Sequence, residues 1–129
     1  MAQIDLVEDD VSLQRLVSAA LEEAGHRVRV IGTLDRGLEW SLRVPPDLLI
    51  TDLGLPDGSG LELVRRLHGR APEVPILVIS GADTPGEQER VLGLGASDFL
   101  SKPFTSQELL TRCGLLLRLA RTCPLPRAM

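Results

Sequence analysis

Short apolar runs alternate along the chain with segments whose apolar residues recur every three or four positions, the pattern of a parallel sheet covered by helices. Five such units can be counted. The candidate strands are residues 4–7, 27–31, 48–51, 76–80 and 98–100, all short and rich in Val, Ile or Leu. The first, third and fourth read mainly as runs of Ile, Leu and Val, as strands buried on both faces do, so these three are expected at the centre of the sheet.

Helix signals fill the intervals. Leu13, Leu16, Val17, Ala20, Leu21 and Ala24 fall on one helical stripe, with Gly25 placed to stop the turn. Thr33 precedes a second amphipathic stretch at 34–43, ended by Pro45 and Pro46, which cannot continue a helix. Three capping boxes, in which a Ser or Thr and a Glu three residues on satisfy each other's free N–H groups, open the later helices: Ser59 with Glu62, Thr84 with Glu87, and Thr105 with Glu108. In the second box Pro85 takes the first helical position, where its missing N–H costs least. The last box opens a helix carrying Leu109, Leu110, Cys113, Leu116, Leu117 and Ala120. No internal repeat or low-complexity tract interrupts the pattern. Residues 1–121 read as one domain, and 122–129, with Pro124 and Pro126, as a tail or the start of a linker.

Composition narrows the function classes. The chain has 129 residues, 43% hydrophobic and 25% charged, which matches one folded domain and not a disordered segment. Its longest apolar runs fall far short of the roughly 20 residues a bilayer span needs, so no membrane association is expected. The N-terminus carries no recognisable export signal, and the expected location is the cytoplasm. A net charge of −4 disfavours direct nucleic-acid binding by this segment. Cys113 and Cys123 have no histidine at metal-ligand spacing and are read as reduced thiols. Lys102 is the one lysine in a chain whose other basic residues are arginine. An ammonium and a guanidinium do different work, which draws attention to that position.

In open parallel sheets, ligands bind beyond the carboxyl ends of the strands. The first strand ends in Glu8-Asp9-Asp10, the third in Asp52, the fourth in Ser80, and the fifth runs into Ser101-Lys102-Pro103. Carboxylates brought together repel unless they share a cation, and Mg²⁺, which prefers oxygen ligands, is the natural one. Lys102 and the Ser80 hydroxyl could then stabilise phosphoryl oxygens as charge moves onto Asp52. Taken singly, each residue has a plainer reading. Asp52 is a turn residue, Glu8-Asp9-Asp10 complements a helix dipole, Lys102 sits solvated before a proline, Ser80 caps a turn, and Phe99 fills the core. Their coincidence at four strand ends favours a shared site. Gly58-Ser59-Gly60 lacks the third glycine of a dinucleotide fingerprint, Leu63 standing there. His26 and His68 have no flanking ligands, and no Cys-His or Ser-His-acid set supports a hydrolase nucleophile.

Four segments in this order resemble the receiver domain of bacterial two-component response regulators: Val7-Glu8-Asp9-Asp10, Asp52-Leu53-Gly54-Leu55-Pro56-Asp57-Gly58-Ser59-Gly60, Ile79-Ser80-Gly81-Ala82, and Gly95-Ala96-Ser97-Asp98-Phe99-Leu100-Ser101-Lys102-Pro103-Phe104. The resemblance covers roughly residues 3–121. It implies an α/β, flavodoxin-like fold: a doubly wound five-stranded parallel sheet in order 2-1-3-4-5, flanked by five helices. It also implies that Asp52 is the phosphoacceptor, attacking a phosphohistidine on a histidine kinase or histidine phosphotransfer protein. Glu8, Asp9, Asp52 and the Gly54 backbone carbonyl would hold Mg²⁺, with Mn²⁺ as a substitute and Glu8 acting through water. Ser80 and Lys102 would each take a phosphoryl oxygen. Phe99 would be the switch aromatic, turning inward so that the face of the fourth helix, fifth strand and fifth helix changes. The Lys102–Pro103 bond would be cis.

Such a domain is not an enzyme, though it assists its own phosphorylation and dephosphorylation, and its output passes to a downstream effector or output domain. Ser80 stands where threonine is commoner and Phe99 where tyrosine is commoner, so Phe99 has no hydroxyl to offer a partner. Gly54 and Ala82, two residues beyond Asp52 and Ser80, give little side chain to shield a phosphoryl group. Glu108, Arg112 and Arg118 are placed for charged contacts across a homodimer, although the Glu108 and Arg112 spacing equally suits a surface pair. Two other classes remain as alternatives. The intact set Glu8, Asp9, Asp52, Ser80 and Lys102 argues against a phosphorylation-independent receiver-like interaction domain. A magnesium-dependent phosphohydrolase usually has a second acid where Gly54 stands.

Overall fold

The computed structural model describes residues 1–81 and 85–122. Five strands, β1 (Gln3–Val7), β2 (Arg27–Ile31), β3 (Leu48–Asp52), β4 (Ile76–Ser80) and β5 (Asp98–Ser101), form a parallel sheet in the order β2-β1-β3-β4-β5. Helices α1 (Val11–Glu23), α2 (Leu34–Arg43), α3 (Gly60–Arg70), α4 (Glu87–Gly93) and α5 (Ser106–Thr122) cover it. The three mainly apolar runs are the three central strands. An antiparallel ribbon of Gly54–Leu55 with Gly58–Ser59 follows β3, a feature absent from the sequence reading.

Alternation along the strands divides the core into two layers. Ile4, Leu6, Ile50 and Leu77 face α1 and α5, packing with Val17, Leu21, Leu109 and Cys113. Val7, Leu49, Val78 and Phe99 face the opposite side, with Leu63, Val64, Leu67 and Val91. Every residue of β3 and β4 is buried. Burial on both faces leaves only their carboxyl ends to meet solvent, and this makes those ends a site. Among the described residues no helix is long and apolar enough to cross a membrane.

The helix starts depart from expectation in instructive ways. The third box forms as read: the Glu108 N–H donates to Thr105 Oγ1 at 3.1 Å, and the Thr105 N–H to Glu108 Oε1 at 3.3 Å. Ser59 does cap α3, accepting from the Leu61 N–H, but Glu62 turns outward to Arg65 and Arg66 and the reciprocal half is missing. Helix α4 begins at Glu87 with Gly86 as its N-cap at φ +83°, which leaves Pro85 outside the first turn. Thr84 and Ala82 lie outside the described residues, as do Cys123, Pro124 and Pro126. On α1, Val17 and Leu21 are buried while Leu16 and Ala24 are exposed, so the helix packs through a narrower stripe than its apolar residues suggest. Arg112 pairs with Asp98, at 2.9 Å to each carboxylate oxygen, and not with Glu108, which Thr105 already holds.

Candidate functional site

In a parallel sheet all carboxyl ends reach the same edge, and here strand order reverses between β1 and β3. Glu8 and Asp9 follow β1, Asp52 ends β3, Ser80 ends β4, and Lys102 follows β5. The five residues therefore arrive at one edge from four strands. Gly60 permits the tight exit from β3: a Cβ there would stand 2.0 Å from the Asp52 backbone oxygen, and its N–H donates to the Leu53 carbonyl at 2.8 Å. The Lys102–Pro103 peptide bond is cis, as the resemblance implies.

Glu8 and Asp52 are buried and Asp9 is exposed, yet each offers a carboxylate oxygen within 4.8 Å of the others. The Lys102 ammonium donates to Glu8 Oε1 and to Asp52 Oδ2, both at 2.9 Å. The other oxygens are held by backbone. Glu8 Oε2 accepts from the Asp9 and Asp10 N–H groups at 2.9 and 3.1 Å, and Asp52 Oδ1 accepts from the Leu53 N–H at 2.7 Å. Gln14 fixes the turn from below by donating its side-chain amide to the Glu8 carbonyl. Burial pushes the Glu8 carboxyl above its ordinary value, against the bond from Lys102. Burial also works against the Lys102 ammonium, but its bonds to Glu8 and Asp52 prevail and raise its pKa.

The donor set suits a hard divalent cation. It consists of carboxylate oxygens, one of them on an exposed residue where ion-bound water could remain, and a like-charged trio gains most from a shared positive charge. Beside Asp52 a cleft of about 730 Å³ opens, lined by Ser80, Gly54 and Lys102 and, on its far wall, by Glu62, Glu87 and Arg90. The sequence reading missed the far wall. No local spacing links α3 and α4 to Asp52, and only the fold brings them round. Phe99 stands apart from this cluster, buried in the layer facing α2, α3 and α4, so its ring is already inward in this structure.

Residues 4–113 match the family model described as the response regulator receiver domain. The chain is 41% identical over 128 residues to the KDP operon transcriptional regulatory protein KdpE of Escherichia coli (strain K12), a match covering 98% of this chain and 56% of that protein. It is 34% identical over 113 residues to the transcriptional regulatory protein PhoP of the same strain, covering 88% of this chain and 51% of that protein. It thus spans about half the length of the curated relatives it matches. Among solved structures, the non-phosphorylated HemR receiver domain from Leptospira biflexa superposes with a TM-score of 0.85 at 29% identity, covering 100% of this chain and 99% of that one. Sheet order, acidic edge and family match agree, and this chain belongs to the receiver domain family of two-component response regulators.

Proposed function

We propose that Asp52 is the phosphoacceptor of this receiver, and that a histidine kinase or histidine phosphotransfer protein is its donor. The observation that carries the reading is the Asp52 carboxylate itself. It ends a fully buried strand, opens into a cleft, lies 2.9 Å from an ammonium, and shares a cluster with Glu8 and Asp9. An Asp52 oxygen attacks phosphorus, the P–N bond of the phosphohistidine breaks, and its electron pair leaves on the imidazole, giving an acyl phosphate. Glu8, Asp9, Asp52 and the Gly54 carbonyl would hold Mg²⁺, or Mn²⁺ in its place, and the ion would supply charge neutralisation for the phosphoryl oxygens. Lys102 moves from its carboxylate partners to one phosphoryl oxygen, and the Ser80 hydroxyl donates to another. The same groups let the domain assist its own dephosphorylation by water.

Phosphorylation shifts the population of a bistable face made of α4, β5 and α5, with Phe99 as its internal wedge. Exposed Leu92, Leu115 and Leu119 give that face apolar surface for homodimerisation. Arg112 is committed to Asp98 within the chain, so leucines and not this arginine would carry the contact. The relatives are named transcriptional regulators, which supports a downstream output domain acting from the cytoplasm, while the receiver segment, with net charge −4, makes no nucleic-acid contact of its own. The deciding experiment is the intact mass of wild type and Asp52→Asn after incubation with acetyl phosphate, with and without Mg²⁺. One added phosphoryl group in wild type alone, and only with the metal, is expected. No adduct, with Mg²⁺ binding shown separately and rapid turnover excluded, overturns the reading in favour of a phosphorylation-independent interaction domain.

A further inference from the structure

The two edges of the sheet are finished differently. The Lys102 N–H bonds the Ser80 carbonyl at 2.9 Å, and by alternation the Phe99 backbone groups point out from β5. Both are sealed: the Phe99 N–H donates to Asp98 Oδ1 at 2.8 Å, and its carbonyl accepts from Arg112 at 3.1 Å. On the other edge, the Arg27 N–H bonds the Ala2 carbonyl and the Ile31 carbonyl accepts from the Glu8 N–H, each at 2.9 Å. The same alternation turns the N–H and carbonyl groups of Val28 and Val30 outward. No hydrogen bond among the described residues reaches those four groups, and Val30 itself is exposed.

Along this open edge runs a cavity of about 280 Å³, lined by Arg29, Val30, Ile31, Gly32, Arg36 and Trp40. Trp40 is the only tryptophan in the chain and is 42% exposed. Its ring is nonetheless fixed. The Arg29 guanidinium lies 5.6 Å from the ring centroid and is itself anchored on buried Asp5, at 2.9 and 2.6 Å. Asp5 neutralises Arg29, whereas Arg36 has no ion pair among the described residues. Among the described residues no carboxylate lines the cavity, although the chain as a whole carries a net charge of −4.

We propose that the open edge of β2 takes up an extended, acidic segment of a partner protein as a sixth strand of the sheet. Backbone groups of Val28 and Val30 supply the ladder, an acidic side chain reaches Arg36, and an apolar one two positions along lies on Trp40. Arg27 and Arg36, neither of them in an ion pair among the described residues, make the edge selective. Two copies of it would set arginine against arginine, which discourages self-pairing, while an acidic strand meets opposite charge. This inference is independent of the role of Asp52.

Trp40 provides the readout, since its fluorescence reports this cavity alone. The probes are the blocked peptide Thr-Glu-Thr-Val-Thr, whose Glu and Val share one face of a strand, and its counterpart Thr-Lys-Thr-Val-Thr, titrated into the full chain. A saturable change with the acidic peptide, at least about tenfold weaker with the lysine one, is expected. Arg36→Glu should invert that preference. In Val30→Pro only an outward N–H is lost, a substitution edge strands tolerate, so the fold should persist by circular dichroism while acidic-peptide binding falls about tenfold. Independently of any variant, bound acidic peptide should slow amide exchange at Val28 and Val30. Unchanged exchange there, equal binding of both peptides, or the same saturable change with sodium acetate alone overturns the proposal, the last outcome marking a small-anion pocket.

Discussion

Lys102 Nζ lies 2.9 Å from Asp52 Oδ2, so before any phosphoryl group arrives this ammonium already neutralises the carboxylate at the end of β3. It does the same for Glu8 at the same distance. A lysine in this position and a divalent ion draw on the same oxygens, and like charges crowded together disfavour each other. Lys102→Met should therefore bind Mg²⁺ more tightly, by about tenfold, or about 1.4 kcal/mol, in calorimetric titration. Phosphorylation by acetyl phosphate should slow in the same variant, because a phosphoryl oxygen loses its cation. Weaker Mg²⁺ binding would mean that Lys102 chiefly holds the two carboxylates in place.

The strand ends carrying Glu8, Asp9, Asp52, Ser80 and Lys102 were legible in the chain because β1, β3 and β4 are buried on both faces and, apart from Asp5 and Thr51, read as runs of Ile, Leu and Val. Polar residues that close such runs have one edge of the sheet to go to. Local capping was less legible. The Ser59 and Thr105 boxes share one spacing, but Glu62 has Arg65 and Arg66 within a turn and goes to them, while Arg112, four residues beyond Glu108, is held by Asp98 and Glu108 turns back. Arg90 and Glu87 reach the cleft from α4, and Asp57 reaches α2 from across 22 and 23 residues. Contacts of that kind depend on how elements dock and leave no mark in residue spacing.

Gly60 and Gly69 lie in the same helix and should respond oppositely to alanine. At Gly60 the new Cβ would stand 2.0 Å from the Asp52 backbone oxygen, which cannot swing aside as a side-chain tip can. A loss of about 3 kcal/mol is expected, with Asp52 displaced and phosphorylation impaired. At Gly69 a Cβ meets nothing within 4 Å, so alanine should stabilise by about 0.5 kcal/mol through the unfolded chain. Urea denaturation of both variants checks the contrast. Equal effects would show that the exit from β3 relaxes to accept a methyl group.

Asp57 ties the loop after β3 to the start of α2, its carboxylate accepting from the Leu34 and Asp35 N–H groups at 2.7 and 2.9 Å. The bond from Asp35, then that from Leu34, holds this carboxyl below its ordinary value of 3.8. A carboxylate lowered by folding contributes stability above its unfolded pKa and loses it as pH falls through the folded one. Asp57→Asn should thus melt earlier than wild type at neutral pH, and the two melting curves should converge as the pH is taken below 3.8. A gap that persists in acid would assign the effect to shape and not to charge at the helix start.

Cys113 sits on α5 inside the layer that faces α1, in the same buried cluster as Leu109 and Leu117 and 1% exposed. Burial pushes its thiol up to about 12. The thiolate is the reactive form, so at pH 8 only about one molecule in ten thousand would carry it in the folded state, behind a layer no reagent enters. In a Cys123→Ser background, Cys113 should therefore be silent to a disulfide reagent at pH 8 in native buffer. Its labelling should appear across the same urea range in which far-ultraviolet circular dichroism is lost, because exposure and the ordinary thiol pKa return together on unfolding. Labelling in native buffer at the rate of a free thiol would show instead that α5 lifts from the sheet without global unfolding, a motion that would bear directly on the α4, β5 and α5 face.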